Sequence, residues 1–293
     1  MEKSSRLEYI DALRGVAILL VVYQHVLTYG IFNGWVADLT CPWSLATFAI
    51  RFRMPLFFFI SGLLACASYD AATLRRRVMN RLSRQLWPTV AVCLIYNALF
   101  FWHGWHSLFF SSHNAGYWFT QSLVQVFVVY ALAEFLMQRA GLGRKGRSVL
   151  LGIAALLLVA MQYFHWIPSG RAGGLIEASY IHKSVIYAPF FFAGVVARLW
   201  MREFVAIIGK WYVILLCVAA IVASCWVGSQ QPVFPLGIAG IIMMTGIFSR
   251  TEKFWISGKG VSGLLKEMGR NTLPIYLYHY IVLQFVANHH LFS

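Results

Sequence analysis

Apolar residues along this chain gather in long runs separated by short polar stretches. Runs at 9–30, 44–69, 83–103, 117–137, 147–165, 182–200, 208–227, 233–249 and 272–290 come near the ~20 residues that cross a bilayer core. Backbone polar groups in lipid must be satisfied within their own segment, so these runs predict helices. The expected fold is all-α: a polytopic membrane protein of about nine transmembrane helices around a central cavity. Neither a disordered linker nor an internal repeat divides it, so residues 1–293 read as a single transmembrane domain.

The polar stretches carry a second pattern. Lys3 and Arg6 precede the first run, and Arg75, Arg76, Arg77, Arg81 and Arg84 lie between the second and third. Arg139, Arg144, Lys145 and Arg147 follow the fourth, and Arg198, Arg202 and Lys210 the sixth. Arg250, Lys253, Lys259, Lys266 and Arg270 follow the eighth. The intervening connections hold only Arg171. Basic residues favour the cytoplasmic side, so this alternation predicts a cytoplasmic N-terminus and an outer C-terminus. Trp35, Trp43, Trp102, Trp105 and Trp118 fall near the outer ends, as interface anchors do. The basic, glycine-containing stretch 250–271 is expected to hold a short surface helix.

Composition agrees: 60% of residues are hydrophobic and 12% charged, against about 25% charged in soluble domains. The formal charge of +14 does not indicate nucleic acid, because the cations cluster at the ends of apolar runs. Cys41, Cys66, Cys93, Cys217 and Cys225 are scattered, without the spacing of a disulfide or metal framework. The first run is interrupted by Arg14 and His25 and does not read as a cleavable signal.

Candidate chemistry begins in that run, YIDALRGVAILLVVYQHV at 9–26. Ionisable groups within a span are costly and face a protein interior or a watery cavity. Arg14 and His25 are eleven positions apart, which returns a helix to within about 20° of the same face and separates them by roughly 16 Å. Asp11, three residues before Arg14, is its neighbour on the surface, and an ion pair is the simplest role for it. Imidazole is the side chain best suited to take and return a proton near neutral pH; a histidine hydrogen-bonded to a neighbouring helix is the alternative reading.

Four further groups stand out. Arg81 and Arg84 open the third run at i,i+3, with Arg77 at i−4 from Arg81. Their guanidinium forks suit phosphate oxygens, whereas the rest of the arginine run fits topology alone. Arg51 and Arg53 lie in RFRMPLFFFISG, where Pro55 disfavours helix at Met54. Either a broken helix lines a cavity there, or both arginines sit in the headgroups. In GRNTLPIYLYH, Asn271 or Thr272 can cap the last helix, Pro274 fits its first turn, and Tyr276 and His279 share a face. Glu134 either snorkels to the interface or pairs with an arginine.

Taken in order, these segments resemble the integral-membrane acyltransferase-3 family, which acylates surface glycans and related acceptors. IDALRGVAILLVVYQHV matches its arginine–ten residues–histidine motif at Arg14 and His25. MPLFFFISGLL follows, then the RxxR motif at Arg81 and Arg84, then Tyr117-Trp118-Phe119, Pro189-Phe-Phe-Phe-Ala-Gly194 and GRNTLPIYLYH. Members commonly carry at least one more span after that last segment, whereas this sequence ends at Ser293.

The resemblance implies an acyl-CoA donor, most often acetyl-CoA, presented from the cytoplasm and held by Arg81 and Arg84, with Arg77 beside them. The acceptor is a glycan or lipid-linked sugar hydroxyl, with His25 as general base and Arg14, flanked by Asp11, holding donor or active-site geometry. Arg51, Arg53, Trp118, Tyr276 and His279 are expected to contact substrate. The expected setting is the cell inner membrane among its lipids, with no metal and no nucleic acid, and with homodimerisation left open. A transporter of an anionic or lipid-linked solute is the rival function. A purely structural subunit leaves Asp11, Arg14 and His25 unexplained.

Overall fold

A computed structural model describes residues 8–35, 49–65, 69–100, 117–166, 180–227, 233–256 and 259–288. Trp43, Trp102, Trp105, Arg171, Cys41 and Cys66 lie outside the described residues. All regular secondary structure among the described residues is helical. In chain order the helices are α1 (Glu8–Phe32), α2 (Arg53–Ala65), α3 (Ala71–Arg81), α4 (Trp87–Phe100), α5 (Trp118–Arg139), α6 (Arg144–Tyr163) and α7 (Ile181–Leu199). Then follow α8 (Met201–Ile208), α9 (Trp211–Val227), α10 (Val233–Arg250), α11 (Glu252–Ile256), α12 (Gly260–Arg270) and α13 (Thr272–Asn288). A π-helical turn, Leu82–Leu86, joins α3 to α4.

Among the described residues three helices are long and apolar enough to cross a membrane: Tyr9–Phe32, Trp118–Arg139 and Arg144–Tyr163. The bent pair α8–α9 makes a fourth candidate, with 71° between its halves. Gly209 and Lys210 form that elbow, and Arg250 closes it by donating to the Gly209 carbonyl while lying 4.5 Å from the Trp211 ring centroid. Other apolar helices are shorter than a bilayer's thickness among the described residues, as those ending at Ala65 and Phe100.

The chain divides into two compact units, one of residues 1–60 with 200–293 and one of residues 61–199. In the first, α1 packs against α10, α11, α12 and α13. The stretch expected to hold a surface helix holds two helices, and α12 is pressed onto α1. A Cβ on Gly15 would lie 2.0 Å from the Leu265 carbonyl oxygen, and one on Gly269 would lie 1.7 Å from that of Asp11. Only glycine permits the two backbones to cross so closely. A further apolar core joins Phe52, Ile214, Ile221 and Met243.

In the second unit α5 packs against α3, the π turn and α7, and α7 against α6. Gly62 lets α2 meet α7: a Cβ there would stand 1.9 Å from the Phe191 carbonyl. Phe190 and Phe191 are fully buried, and the Tyr130 ring meets Phe191 at 5.4 Å. Asp70 starts α3 by accepting from the Thr73 N–H at 2.6 Å. The π turn has its cause in Pro88, which lacks the N–H that would pair with the Arg84 carbonyl and crowds that position. The ladder widens just before it, with the Trp87 N–H reaching Leu82.

Candidate functional site

In the first unit four polar pairs join α1 to α13, three of which fix their direction. Arg14 Nη2 donates to Thr272 Oγ1 at 2.8 Å, His25 Nδ1 and His279 Nε2 are 2.8 Å apart, and the Tyr29 hydroxyl donates to Gln284 Oε1 at 3.1 Å. Positions rise together in both helices, so the helices run parallel. Arg14 and His25 thus turn to the same neighbour. Asp11 is buried and its Oδ2 accepts from Arg270 Nε at 3.4 Å, so the end of α12 supplies a cation to the acid as well as the glycine crossing.

The histidines form a directed chain. His279 Nδ1 lies 3.2 Å from the Ile275 carbonyl, which can only accept. With both rings neutral, His279 therefore carries its proton on Nδ1 and offers a lone pair at Nε2. His25 must donate to it from Nδ1, which leaves the His25 lone pair on Nε2. The Tyr280 hydroxyl lies 2.9 Å from that nitrogen and is the donor. The imidazoles are inclined by 13° with centroids 5.0 Å apart, so they meet edge to edge nearly in one plane, as a hydrogen bond between ring nitrogens requires. Tyr276, His279 and Tyr280 are all buried, and Tyr276 faces His279 with 5.8 Å between centroids.

Arg51 and Arg53 are part-buried in the same unit. Arg51 Nη2 donates to the Ser224 carbonyl at 3.2 Å. Arg53 is near enough for its charge to act on both His25 and Tyr280. Pro55 does not break the helix at Met54. It occupies the first turn of α2, where a backbone N–H has no intrahelical acceptor to lose.

The second unit holds the other candidate arginines, Arg77, Arg81 and Arg84. Arg77 and Arg81 turn toward α5 and the stretch before α3: Arg77 lies 5.4 Å from the Tyr69 ring centroid and Arg81 4.6 Å from that of Phe127. Arg81 Nη1 also donates to Gln85 Oε1 at 2.7 Å. Arg84 is exposed. The i,i+3 relation of an α-helix does not hold across the wider π turn, so the RxxR arginines diverge. Of the two readings for Glu134, pairing holds: it is fully buried, its Oε1 accepts from Arg147 and, at 2.6 Å, from Gln138 Nε2. Among the described residues, Glu134 Oε2, Arg147 Nε and Arg77 Nε are buried and find no hydrogen-bond partner. Trp118 stacks on Tyr187 at 5.3 Å and 21°, with Lys183 Nζ 5.5 Å from its centroid.

The model of the acyltransferase 3 family, described as an acyltransferase domain, matches residues 7–290. The chain belongs to that family. No curated protein and no solved structure matches it. Membership decides between the rival functions read from the sequence in favour of an acyltransferase, which acts on an acyl donor and an acceptor. Among the described residues, no three of His, Cys, Asp and Glu gather as metal ligands.

Sequence reasoning passed over several groups of this acyltransferase. Tyr280 stands directly after His279, but adjacency in sequence does not reveal that both reach His25, 254 and 255 positions away. Thr272 was a cap candidate and serves as the acceptor of Arg14. Pro88, four residues past Arg84, is the signal that could have revealed the π turn.

Proposed function

We propose that this acyltransferase moves an acetyl group from cytoplasmic acetyl-CoA to a hydroxyl of a glycan or lipid-linked sugar, with His25 as general base. The observation that carries the reading is the fixed polarity of the histidine chain. In the neutral ring the Ile275 carbonyl and His279 keep the proton of His25 on Nδ1, so its basic lone pair is on Nε2. Base catalysis needs that nitrogen unprotonated and oriented. As the acceptor loses its proton its oxygen bonds to the thioester carbonyl carbon, and collapse of the tetrahedral intermediate expels the CoA thiolate. The Arg53 charge, felt at His25 and Tyr280, suits the oxyanion of that intermediate. Arg14 acts one step removed: its bond to Thr272 holds α13, and with it His279, in register with α1.

Arg77 and Arg81 are the cations assigned to the phosphates of CoA, with Arg84 at the periphery. The buried Arg77 Nε, which finds no partner among the described residues, supports that role, because phosphate oxygens accept such donors strongly. The parallel course of α1 and α13 supports an odd number of crossings from one to the other. Nine spans meet that requirement, and the alternation of basic connections supports a cytoplasmic N-terminus in an inner membrane.

The test is release of CoA thiol from acetyl-CoA by membranes containing the protein, together with mass analysis of surface glycans for the acetyl increment. His25→Ala is expected to express and melt like the parent while release falls by about a hundredfold or more. Full turnover by that variant would overturn the assignment of the base.

A further inference from the structure

Both nitrogens of His25 are engaged, Nδ1 with His279 and Nε2 with the Tyr280 hydroxyl. An imidazole nitrogen has one in-plane site for a hydrogen bond, so an acceptor hydroxyl approaching His25 meets the tyrosine first. The tyrosine is also not placed to swing away. Tyr280 is buried, its ring lies 4.7 Å from His25 and 4.2 Å from His279, and Tyr29 flanks it at 6.4 Å. A phenol that donates to a base can accept from another hydroxyl through the same oxygen.

We propose that Tyr280 is a catalytic residue of the transfer, relaying the proton between the acceptor hydroxyl and His25 Nε2. In the first step the acceptor O–H breaks and its proton bonds to the Tyr280 oxygen, while the proton of Tyr280 passes to His25 Nε2. The acceptor oxygen bonds to the thioester carbon, and the phenol is neutral before and after. When the C–S bond breaks, the same two hops run in reverse and deliver a proton to the CoA thiolate. His25 is a cation only between these events, with its Nδ1–H on the lone pair of His279. Tyr280, not His25, then touches the acceptor. This rests on His25 being the base.

The experiment uses membranes from cells making the full chain and follows label from radiolabelled acetyl-CoA into the endogenous glycan and lipid fractions, in mixtures of light and heavy water. For the parent protein, kcat is expected to fall along a curve as the deuterium fraction rises, since two protons move together. Tyr280→Phe is expected to lower kcat about tenfold or more, leave KM for acetyl-CoA nearly unchanged and straighten that curve to a line. A straight line for the parent overturns the relay without any variant. So does an unchanged kcat in Tyr280→Phe, or a lowered kcat with the curve retained. His25→Ala separates the two ideas: if it is inactive while Tyr280→Phe is fully active, only the relay fails, and if it is fully active the base assignment fails with it.

Discussion

In the line through His25 the side chains of Tyr280, His25 and His279 are neutral, each donating to the next and ending on a backbone carbonyl. Around Glu134 charged groups gather in a knot, with buried atoms of Glu134, Arg147 and Arg77 left over among the described residues. A neutral line costs little desolvation and has a direction, which suits movement of a proton. A charged knot is expensive to bury unless paired, and its unused donors suit the holding of an anion. One unit of this chain thus carries a neutral line and the other a charged knot.

The largest effect on the line comes from its inner link. His279→Phe removes the acceptor of the His25 Nδ1–H and frees the tautomer, so kcat is expected to fall by at least about tenfold. His279→Gln, whose amide oxygen can accept, should recover part of the loss. Equal activity of the two variants would mean that the chain does not orient His25.

On the charged side, Arg147→Ala strands Glu134 and is expected to cost about 3–5 kcal/mol of stability, measured as a fall in melting temperature in detergent. Replacing both partners by leucine should return most of it. If the double variant is no better than the single one, the pair contributes more than mutual neutralisation.

Gly269→Ala drives a methyl group into the Asp11 carbonyl and should destabilise by about 1–3 kcal/mol. Because the crossing of α1 and α12 sits beside Arg14–Thr272, activity should fall with stability. A fully active, fully stable variant would show that the crossing has room to spare.

Arg81→Ala should weaken acetyl-CoA binding by about tenfold, and Arg84→Ala by about twofold or less, since an exposed cation gains little. Isothermal titration ranks them. The reverse order would mean that the donor lies on the outer side of the π turn.

The smallest effect is at Asp70. Its exposed carboxylate is held below the usual carboxylate range by the Thr73 backbone N–H and hydroxyl it faces. A lowered pKa stabilises the fold above the unfolded value of about 3.9 and loses that contribution as pH falls through the lower folded value. The melting temperature of Asp70→Ala should therefore sit slightly below the parent's at neutral pH and converge with it in acid.

The helical character of the chain, three or four of its membrane-length runs among the described residues and the common face of Arg14 and His25 were legible in the sequence, because apolar run length and helical periodicity are local properties. The partner of that face was not. Nothing local pairs Arg14 with Thr272 or His25 with Tyr280 across more than 250 positions. The amphipathic stretch that became α12 read as a surface helix because its charges were visible and the close approach allowed by Gly15 and Gly269 was not. The divergence of Arg81 and Arg84 escaped a count of helical spacing because Pro88 alters the helix that such a count assumes.

The crossing of α1 and α12 also has a consequence in time. Arg14 leaves the ribosome 258 residues ahead of Thr272, which at about 5–20 residues per second is roughly ten to fifty seconds. During that interval the first helix holds an acid, an arginine and a histidine whose partners in α12 and α13 have not yet been made. Insertion of this protein therefore begins with a helix whose polar side chains wait for partners that emerge more than 250 residues later.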